Sequence, residues 1–186
     1  RARPYQVTFF GNNYRPPSVG GEGGGVSSWV SNLTGLGDTL NFTFQGSEGT
    51  RFYSGGWRTP IFNQGTQVYV NFTEGDSWLM ESRINQSTVD LLNIKSKVHN
   101  IEAGISHPLI ESLQRKLTIG SSFAIRQNDT GLLDRPFSFS PSPSIGDDGH
   151  SQATVVRFYQ EHIERREEQV LALRSTFSVG LNALGS

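Results

Sequence analysis

Four histidines are the residues of this chain best suited to acid–base or metal chemistry: His99, His107, His150 and His162. None of them stands in an H-E-x-x-H or similar ligand spacing. The 186-residue chain has no cysteine, so it offers neither a thiolate ligand nor a Cys nucleophile. No G-x-S-x-G elbow presents a serine nucleophile. We therefore expect surface or loop histidines, no catalytic residue, no metal and no cofactor, which argues against an enzyme.

Two glycine-rich segments, 21–25 and 35–37, lack the following lysine and helix of a phosphate-binding loop, and we interpret them as turns. The acidic segment 147–150 lacks the spacing of a calcium loop and is expected to be a solvated loop tip. The formal net charge of −1 gives no bulk attraction for a polyanion. We therefore expect no nucleic-acid partner.

Alternation of apolar and polar residues with a period of two is the dominant pattern, and it is typical of β-strands with two different faces. The clear stretches are 170–182, 117–126, 40–45 and 67–72, and the weaker ones are 5–10, 25–33, 50–58, 98–107 and 152–161. Turns rich in Gly, Asn, Asp and Pro separate them. The sequence thus predicts an all-β fold, an antiparallel up-and-down meander of about nine long strands.

The connections between these stretches differ in length. The long ones are 11–24, 74–97 and 127–149, and the shorter ones are 34–38, 61–65, 108–112, 162–168 and, breaking the alternation, 46–49. In a meander, alternate connections lie at opposite ends, so the long loops gather at one end, as in outer-membrane barrels. The two cleanest stretches also reach the ~9–11 residues that cross a bilayer at a tilt. We predict an incomplete part of a transmembrane β-barrel, with a soluble β-sandwich as the alternative.

Residues 1–186 are interpreted as one partial β-barrel translocator domain. Bacterial barrels close with an even number of strands. About nine strands would leave open edges, which are unstable alone. We therefore expect further sequence before and after this segment.

The alternation also assigns each side chain to one face of its strand. The lipid-facing candidates are Leu117, Ile119, Phe123, Ile125, Leu171, Leu173, Phe177, Val179 and Leu181. The lumen-facing candidates are Thr118, Ser122, Arg126, Arg174, Thr176, Ser178 and Asn182. Charged side chains on this second face would influence what passes through a pore.

Motifs in the same order as in a known family extend over the whole chain. Segments 157–161 (RFYQE) and 170–180 (VLALRSTFSVG) resemble the end of this pattern, and 13–20 (NYRPPSVG) with 32–38 (NLTGLGD) resemble its start. Between them, 107–109 (HPL) and 132–140 (LLDRPFSFS) resemble two further motifs. This pattern is similar to that of the haemolysin secretion/activation proteins of the ShlB/FhaC/HecB family, and closest to cyanobacterial-type members.

The resemblance implies an outer-membrane transporter of two-partner secretion in a Gram-negative bacterium. It implies a partner, a large β-helical exoprotein of the haemolysin or adhesin type, which passes unfolded, and contact with outer-membrane lipid. The chain would be the first half of the barrel, because the periplasmic POTRA modules and the C-terminal barrel strands are absent from it. A porin-like channel or a barrel-assembly insertase of the same superfamily remains the alternative within this fold.

Overall fold

The fold is one antiparallel sheet. A computed structural model describes residues 4–62, 64–79, 93–133, 135–138 and 149–182. Its strands are β1 (Tyr5–Asn12), β2 (Gly23–Ser31), β3 (Thr39–Ser47), β4 (Thr50–Pro60), β5 (Gln67–Trp78), β6 (Lys95–Glu111), β7 (Arg115–Leu132), β8 (Arg135–Pro136), β9 (His150–Arg165) and β10 (Val170–Leu181). The predicted meander is confirmed, and the two-residue strand β8 is an addition to it.

Every long strand pairs with the next long strand along the chain, in the order β1 to β7, then β9 and β10, while β8 pairs only with the end of β7. A soluble sandwich needs two packed sheets with a core between them. Within the described residues, the only buried hydrophobic ones are Tyr69 and Ala124. The alternative of a soluble two-sheet sandwich is therefore wrong for this part of the chain.

The connections lie at two ends of the sheet. The strand ends that bound the connections after β2, β4, β6 and β9 lie at the turn end, and those that bound the connections after β1, β3, β5 and β7 lie at the loop end. A single 3-10 turn, Pro17–Val19, interrupts the first of the loop-end connections. No helix of the described residues is long and apolar enough to cross a membrane. Of the predicted loop tip 147–150, residues 147 and 148 lie outside the described residues.

Several strands are longer than the sequence pattern predicts, among them β5, which contains 12 residues. β6, β7 and β9 contain 17, 18 and 16 residues, and β6 and β7 extend past their alternating segments toward the loop end. The alternation stops there because both faces become polar, as Lys97 and Asp129 on one face illustrate. Periodicity of hydrophobicity therefore marks the apolar part of a strand and not its full length.

The sixth connection lies later in the chain than the predicted 108–112. β6 continues through Pro108 to Glu111, and the register with β7 shifts between Pro108 and Ile110, so that Leu109 is the extra residue of a β-bulge. Proline has no N–H to donate to a neighbouring strand, and a bulge is a place where a sheet accommodates it. The prediction of a turn at Pro108 is wrong because the bulge, not a chain reversal, absorbs the proline.

The register gives the sheet one apolar and one polar face, since directly paired residues of antiparallel strands point to the same side. One row of partners on the apolar face is Leu40, Trp57, Val70, Ala103, Phe123, Val156 and Val179. One row on the polar face is Thr43, Ser54, Thr73, Asn100, Arg126 and Ala153. The two faces therefore differ in chemistry across most of the width of the sheet.

The apolar band crosses this face diagonally. In β3 the apolar band extends to Phe44, near the loop end. The residues in register with Phe44 on later strands include Glu74 of β5 and Gln127 of β7, which are polar. In β10 the apolar band extends to Leu173. The register partners of Leu173 on the neighbouring strands lie nearer the turn end than the first residue of β5. Such a drift is expected when strands are tilted by roughly 35–45° relative to the barrel axis, as in transmembrane barrels.

Candidate pore-lining site

The polar face is the concave face of the sheet, because side chains on it meet across intervening strands. Arg157 Nη1 of β9 donates a hydrogen bond to Glu102 Oε2 of β6 at 3.0 Å, although β7 lies between them. The Tyr69 side chain of β5 comes close enough to that of Tyr159 of β9 to interact with it, across both β6 and β7. Strands are spaced ~4.8 Å apart. These contacts therefore require a sheet curved toward the polar face, which leaves the apolar face convex.

The residues predicted to face a lumen lie along this concave face. They are Thr118, Ser122 and Arg126 on β7 and Arg174, Thr176 and Ser178 on β10, with Asn182 directly after β10. The register brings the two groups together through β9, since Glu161 pairs with both Thr118 and Arg174. That these side chains line a water-filled pore stays a prediction.

The nine residues predicted to face lipid share the convex face of the same strands. Phe177 and Leu173 are 66% and 57% exposed, values far above those of residues in a protein core. Their register partners on β9 include Phe158, which is also exposed. A large apolar surface of this kind marks a membrane or partner contact. Direct contact with lipid stays a prediction.

Two tyrosines on the concave face pack over glycines of neighbouring strands. A Cβ atom at Gly104 would lie 2.5 Å from the Tyr69 ring, and one at Gly120 would collide with the Tyr159 ring. Gly104 and Gly120 therefore leave the space that the two rings occupy. Since Tyr69 leans over β6 and Tyr159 over β7, their hydroxyls approach each other above the middle of the sheet.

A guanidinium group lies over the outer side of each tyrosine ring. The Arg58 Cζ atom is 5.1 Å from the Tyr69 ring centroid, and the Arg174 Cζ atom is 5.4 Å from that of Tyr159. Both distances are within the ~6 Å range of a cation–π contact. Arg58, Tyr69 and Gly104 therefore form one stack of side chain, ring and glycine, and Arg174, Tyr159 and Gly120 form a similar one. The two stacks approach the centre of the concave face from opposite sides. The alternation of β10 marks Arg174 by its polar position, but nothing in the sequence indicates the ring that it contacts.

The ion pair between Glu102 and Arg157 lies next to these stacks. Its side chains are 21% and 18% exposed, and the Tyr69 hydroxyl donates a hydrogen bond to Glu102 Oε1 at 3.4 Å. Ser122, one of the predicted lumen residues, lies beside the Tyr69 side chain. Hydrogen bonds among Tyr69, Glu102 and Arg157 thus make the middle of the concave wall a connected polar cluster that links β5, β6 and β9 across β7. No sequence signal joined Glu102 to Arg157, because they are 55 positions apart.

The four histidines lie on the convex face, two on β6 and two on β9. His150 Nδ1 contacts Asp129 Oδ1 at 2.5 Å, and His107 Nδ1 lies 2.8 Å from Thr66 Oγ1. In the part of the chain that the structure describes, no cluster of three or more histidine or acidic side chains could hold a metal ion. The structure thus places the histidines separately on the surface.

The 32–38 turn is built around the Asp38 carboxylate, which is completely buried. Its Oδ1 accepts hydrogen bonds from the Thr34 hydroxyl at 2.7 Å and the Thr34 backbone N–H at 2.9 Å, and its Oδ2 accepts one from Trp57 Nε1 at 3.3 Å. The Thr34 hydroxyl is the main reason why the pKa of Asp38 lies below its usual range, although burial opposes this shift. The turn is thereby tied to Trp57 at the turn end of the convex face.

No family model and no curated protein matches the sequence. Among solved structures, CdiB from Escherichia coli has a TM-score of 0.80 at 18% identity, over 100% of this chain and 33% of its own. CdiB from Acinetobacter baumannii has a TM-score of 0.66 at 13% identity, over 95% of this chain and 31% of its own. BamA from Haemophilus ducreyi lacking POTRA domains 1-3 has a TM-score of 0.55 at 11% identity, over 97% of this chain and 35% of its own.

The chain therefore spans about a third of the length of these proteins, and at such identities what it shares with them is the fold. One antiparallel sheet with a polar concave face and an exposed apolar convex face defines the class by fold, part of an up-and-down β-barrel of the transmembrane type. The particular barrel to which this part is similar over its full length is CdiB from Escherichia coli.

Proposed function

We propose that the chain is part of an outer-membrane transporter of the Omp85/TpsB superfamily that secretes one large β-helical exoprotein of the haemolysin or adhesin type. The exoprotein passes as an unfolded polypeptide along the concave face, while the convex face meets outer-membrane lipid. The process needs no catalytic residue, metal or cofactor of this chain. The specific relationship is to the ShlB/FhaC/HecB transporters, in their cyanobacterial form.

The observation that carries this proposal is the difference between the two faces of the sheet. The concave wall presents hydroxyl, amide and guanidinium groups, which can hydrogen-bond to the backbone of an extended chain. An unfolded polypeptide in hydrocarbon would leave its own N–H and C=O groups unsatisfied. A wet polar wall next to a lipid-facing apolar wall removes that cost during passage.

The family-like motifs support the proposal because they coincide with elements of this wall. The RFYQE segment is the middle of β9 and puts Arg157, Tyr159 and Glu161 on the concave face. The VLALRSTFSVG segment is most of β10. The NLTGLGD segment is the turn around Asp38. The motif segments therefore correspond to structural elements whose side chains make defined contacts, and the similarity is more than one of residue order.

A barrel-assembly insertase is the second candidate function, and the fold shared with BamA favours it over a porin-like channel. An insertase acts on many barrels, whereas a two-partner transporter serves one exoprotein. The two functions therefore differ in how many proteins depend on the gene.

The test is a deletion of the gene and its complementation in the native bacterium, with proteomes of the culture medium and outer membrane. Secretion predicts that one large protein disappears from the medium, returns on complementation, and leaves the other barrels unchanged. A loss of many outer-membrane barrels would assign the insertase function instead. A change confined to the uptake of small solutes would assign the porin-like one.

A further inference from the structure

A basic pocket lies on the concave face toward the turn end, with a volume of about 420 Å³. Its charged lining side chains are Arg58, Lys116, Arg165, Arg174, Glu111 and Glu161. The Tyr159 ring forms part of its wall. Ligand pockets usually measure roughly 300–1,000 Å³. The basic pocket is therefore of a size to hold a few side chains of an extended chain.

The excess of positive charge on the long strands lies on the concave face, whereas the convex face has no such excess. On the concave face of the long strands the charged residues are Arg58, Lys116, Arg126, Arg157, Arg165, Arg174, Glu102, Glu111 and Glu161. On the convex face they are Arg51, Lys95, Lys97, Arg115, Glu74, Asp76, Asp129 and Glu164. Cations and carboxylates balance on the convex face, whereas cations are twice as numerous on the concave one.

Two guanidinium groups of the basic pocket are held in place by their neighbours. Arg58 Nη1 donates to Gln67 Oε1 at 3.1 Å while its Cζ lies over the Tyr69 ring. Arg174 lies over the Tyr159 ring and pairs in register with Glu161. A guanidinium group has five N–H donors in a fixed plane, which suits bidentate binding of a carboxylate. Neither contact uses more than a part of that donor set.

We propose that the basic pocket binds carboxylate side chains of an acidic segment of the transported polypeptide, with Arg58 and Arg174 as the residues that contact them. The proposal rests on the proposed function, because secretion supplies the polypeptide. It adds that the segment bound by this wall is acidic. The pocket lies at the turn end, where an entering chain would meet it first if the long loops are extracellular. Glu111 and Glu161 limit the strength of binding, so that the segment can leave again.

The experiment measures current through the full-length protein in planar lipid bilayers, with a short polyglutamate peptide added on the turn-end side. A glycine–serine peptide of equal length is the control. Polyglutamate is expected to block the current, and Arg58→Gln combined with Arg174→Gln should raise the half-blocking concentration about tenfold. Arg126→Gln is the matched control variant, because Arg126 lies on the same face but does not line the pocket.

A second variant provides a gain of binding, which a damaged barrel could not imitate. Glu161→Gln removes a carboxylate from the pocket and is expected to lower the half-blocking concentration. Equal block by both peptides, or an equal effect of Arg126→Gln and the double variant, would overturn the proposal. The current assay needs no exoprotein, so the pocket can fail while secretion stands. Equally, a bacterium that loses no exoprotein would refute secretion without changing the peptide result.

Discussion

The two faces of β10 show how one strand can present two chemically different surfaces. Leu173 and Phe177 project from the convex face with more than half of their surface exposed. Arg174, the next residue after Leu173, lies on the concave face over the Tyr159 ring. The backbone conformation is the same for both sets, so the difference arises only from alternation. Convex changes should therefore affect entry into the membrane, and concave changes should affect local packing or conduction.

The largest expected effect is that of a charge on the convex face. Phe177→Arg or Leu173→Arg should block assembly, since a lipid-exposed Arg at the bilayer midplane costs roughly 2–4 kcal/mol. Heat-modifiable migration of the outer-membrane fraction measures assembly. Thr176→Arg, on the concave face of the same strand, is the control and should assemble. If the convex and concave variants behave alike, the assignment of the faces is wrong.

A smaller loss is expected where the concave wall is closely packed. Gly120→Ala puts a Cβ into the space of the Tyr159 ring, and overpacking of this kind typically costs about 1–3 kcal/mol. Urea unfolding in lipid vesicles, followed by tryptophan fluorescence, measures the change in the free energy of unfolding. Gly180→Ala is the matched control, because a Cβ there meets no atom within 4 Å. Equal costs at both glycines would show that the tyrosine packing is not responsible.

The ion pair across β7 should contribute less. Glu102→Gln leaves Arg157 without its carboxylate partner, and for this partly exposed pair we expect a loss of about 1–2 kcal/mol in the same unfolding assay. Glu111→Gln serves as the comparison, because its partner Lys116 is 3.5 Å away and both side chains are largely exposed. A cost at Glu102 no larger than at Glu111 would contradict a connected cluster.

Arg174→Ala should have little effect on stability and a clear effect on conduction. It removes a cation–π contact worth about 0.5–1 kcal/mol at an exposed site, so assembly stays intact. Single-channel conductance is expected to change, since a positive charge disappears from the concave wall. An unchanged conductance together with failed assembly would place Arg174 among the structural residues.

The smallest effect at neutral pH concerns the turn end. Because the pKa of Asp38 is lowered from 3.8, its ionised form stabilises the fold above this value, and the stabilisation is lost as the pH falls through the lower folded pKa. Proteolysis of the 32–38 turn should therefore accelerate below about pH 4. Asp38→Asn should remove this dependence. A wild-type turn equally resistant at all acidic pH values would contradict it.

Alternation in the sequence was sufficient to predict the nine long strands and the distribution of Thr118, Arg174, Leu173 and Phe177 between two faces. Alternation is a property of each strand by itself and does not involve the neighbouring strands. It could not give the full lengths of β6 and β7, because both faces are polar where these strands extend toward the loop end. Nor could it place the chain reversal after Pro108, since a proline is compatible with either a turn or a bulge.

The contacts of the concave wall could not be predicted because they depend on register and curvature together. Tyr69 and Tyr159 lie on strands separated by two others, so neither residue carries a local signal of its partner. The same holds for Glu102 and Arg157. The 32–38 segment was found as a motif, but the role of Asp38 became visible only when Trp57 of β4 was placed beside it.

The diagonal course of the apolar band has a consequence for the path of a passenger chain. Strands inclined by roughly 40° make the rows of side chains on the inner wall wind around the axis like the thread of a screw. A segment that follows one such thread through a layer ~25 Å tall needs about ten extended residues to do so. Under the proposed secretion function, the wall would therefore contact its passenger in short stretches, each rotated relative to the one before.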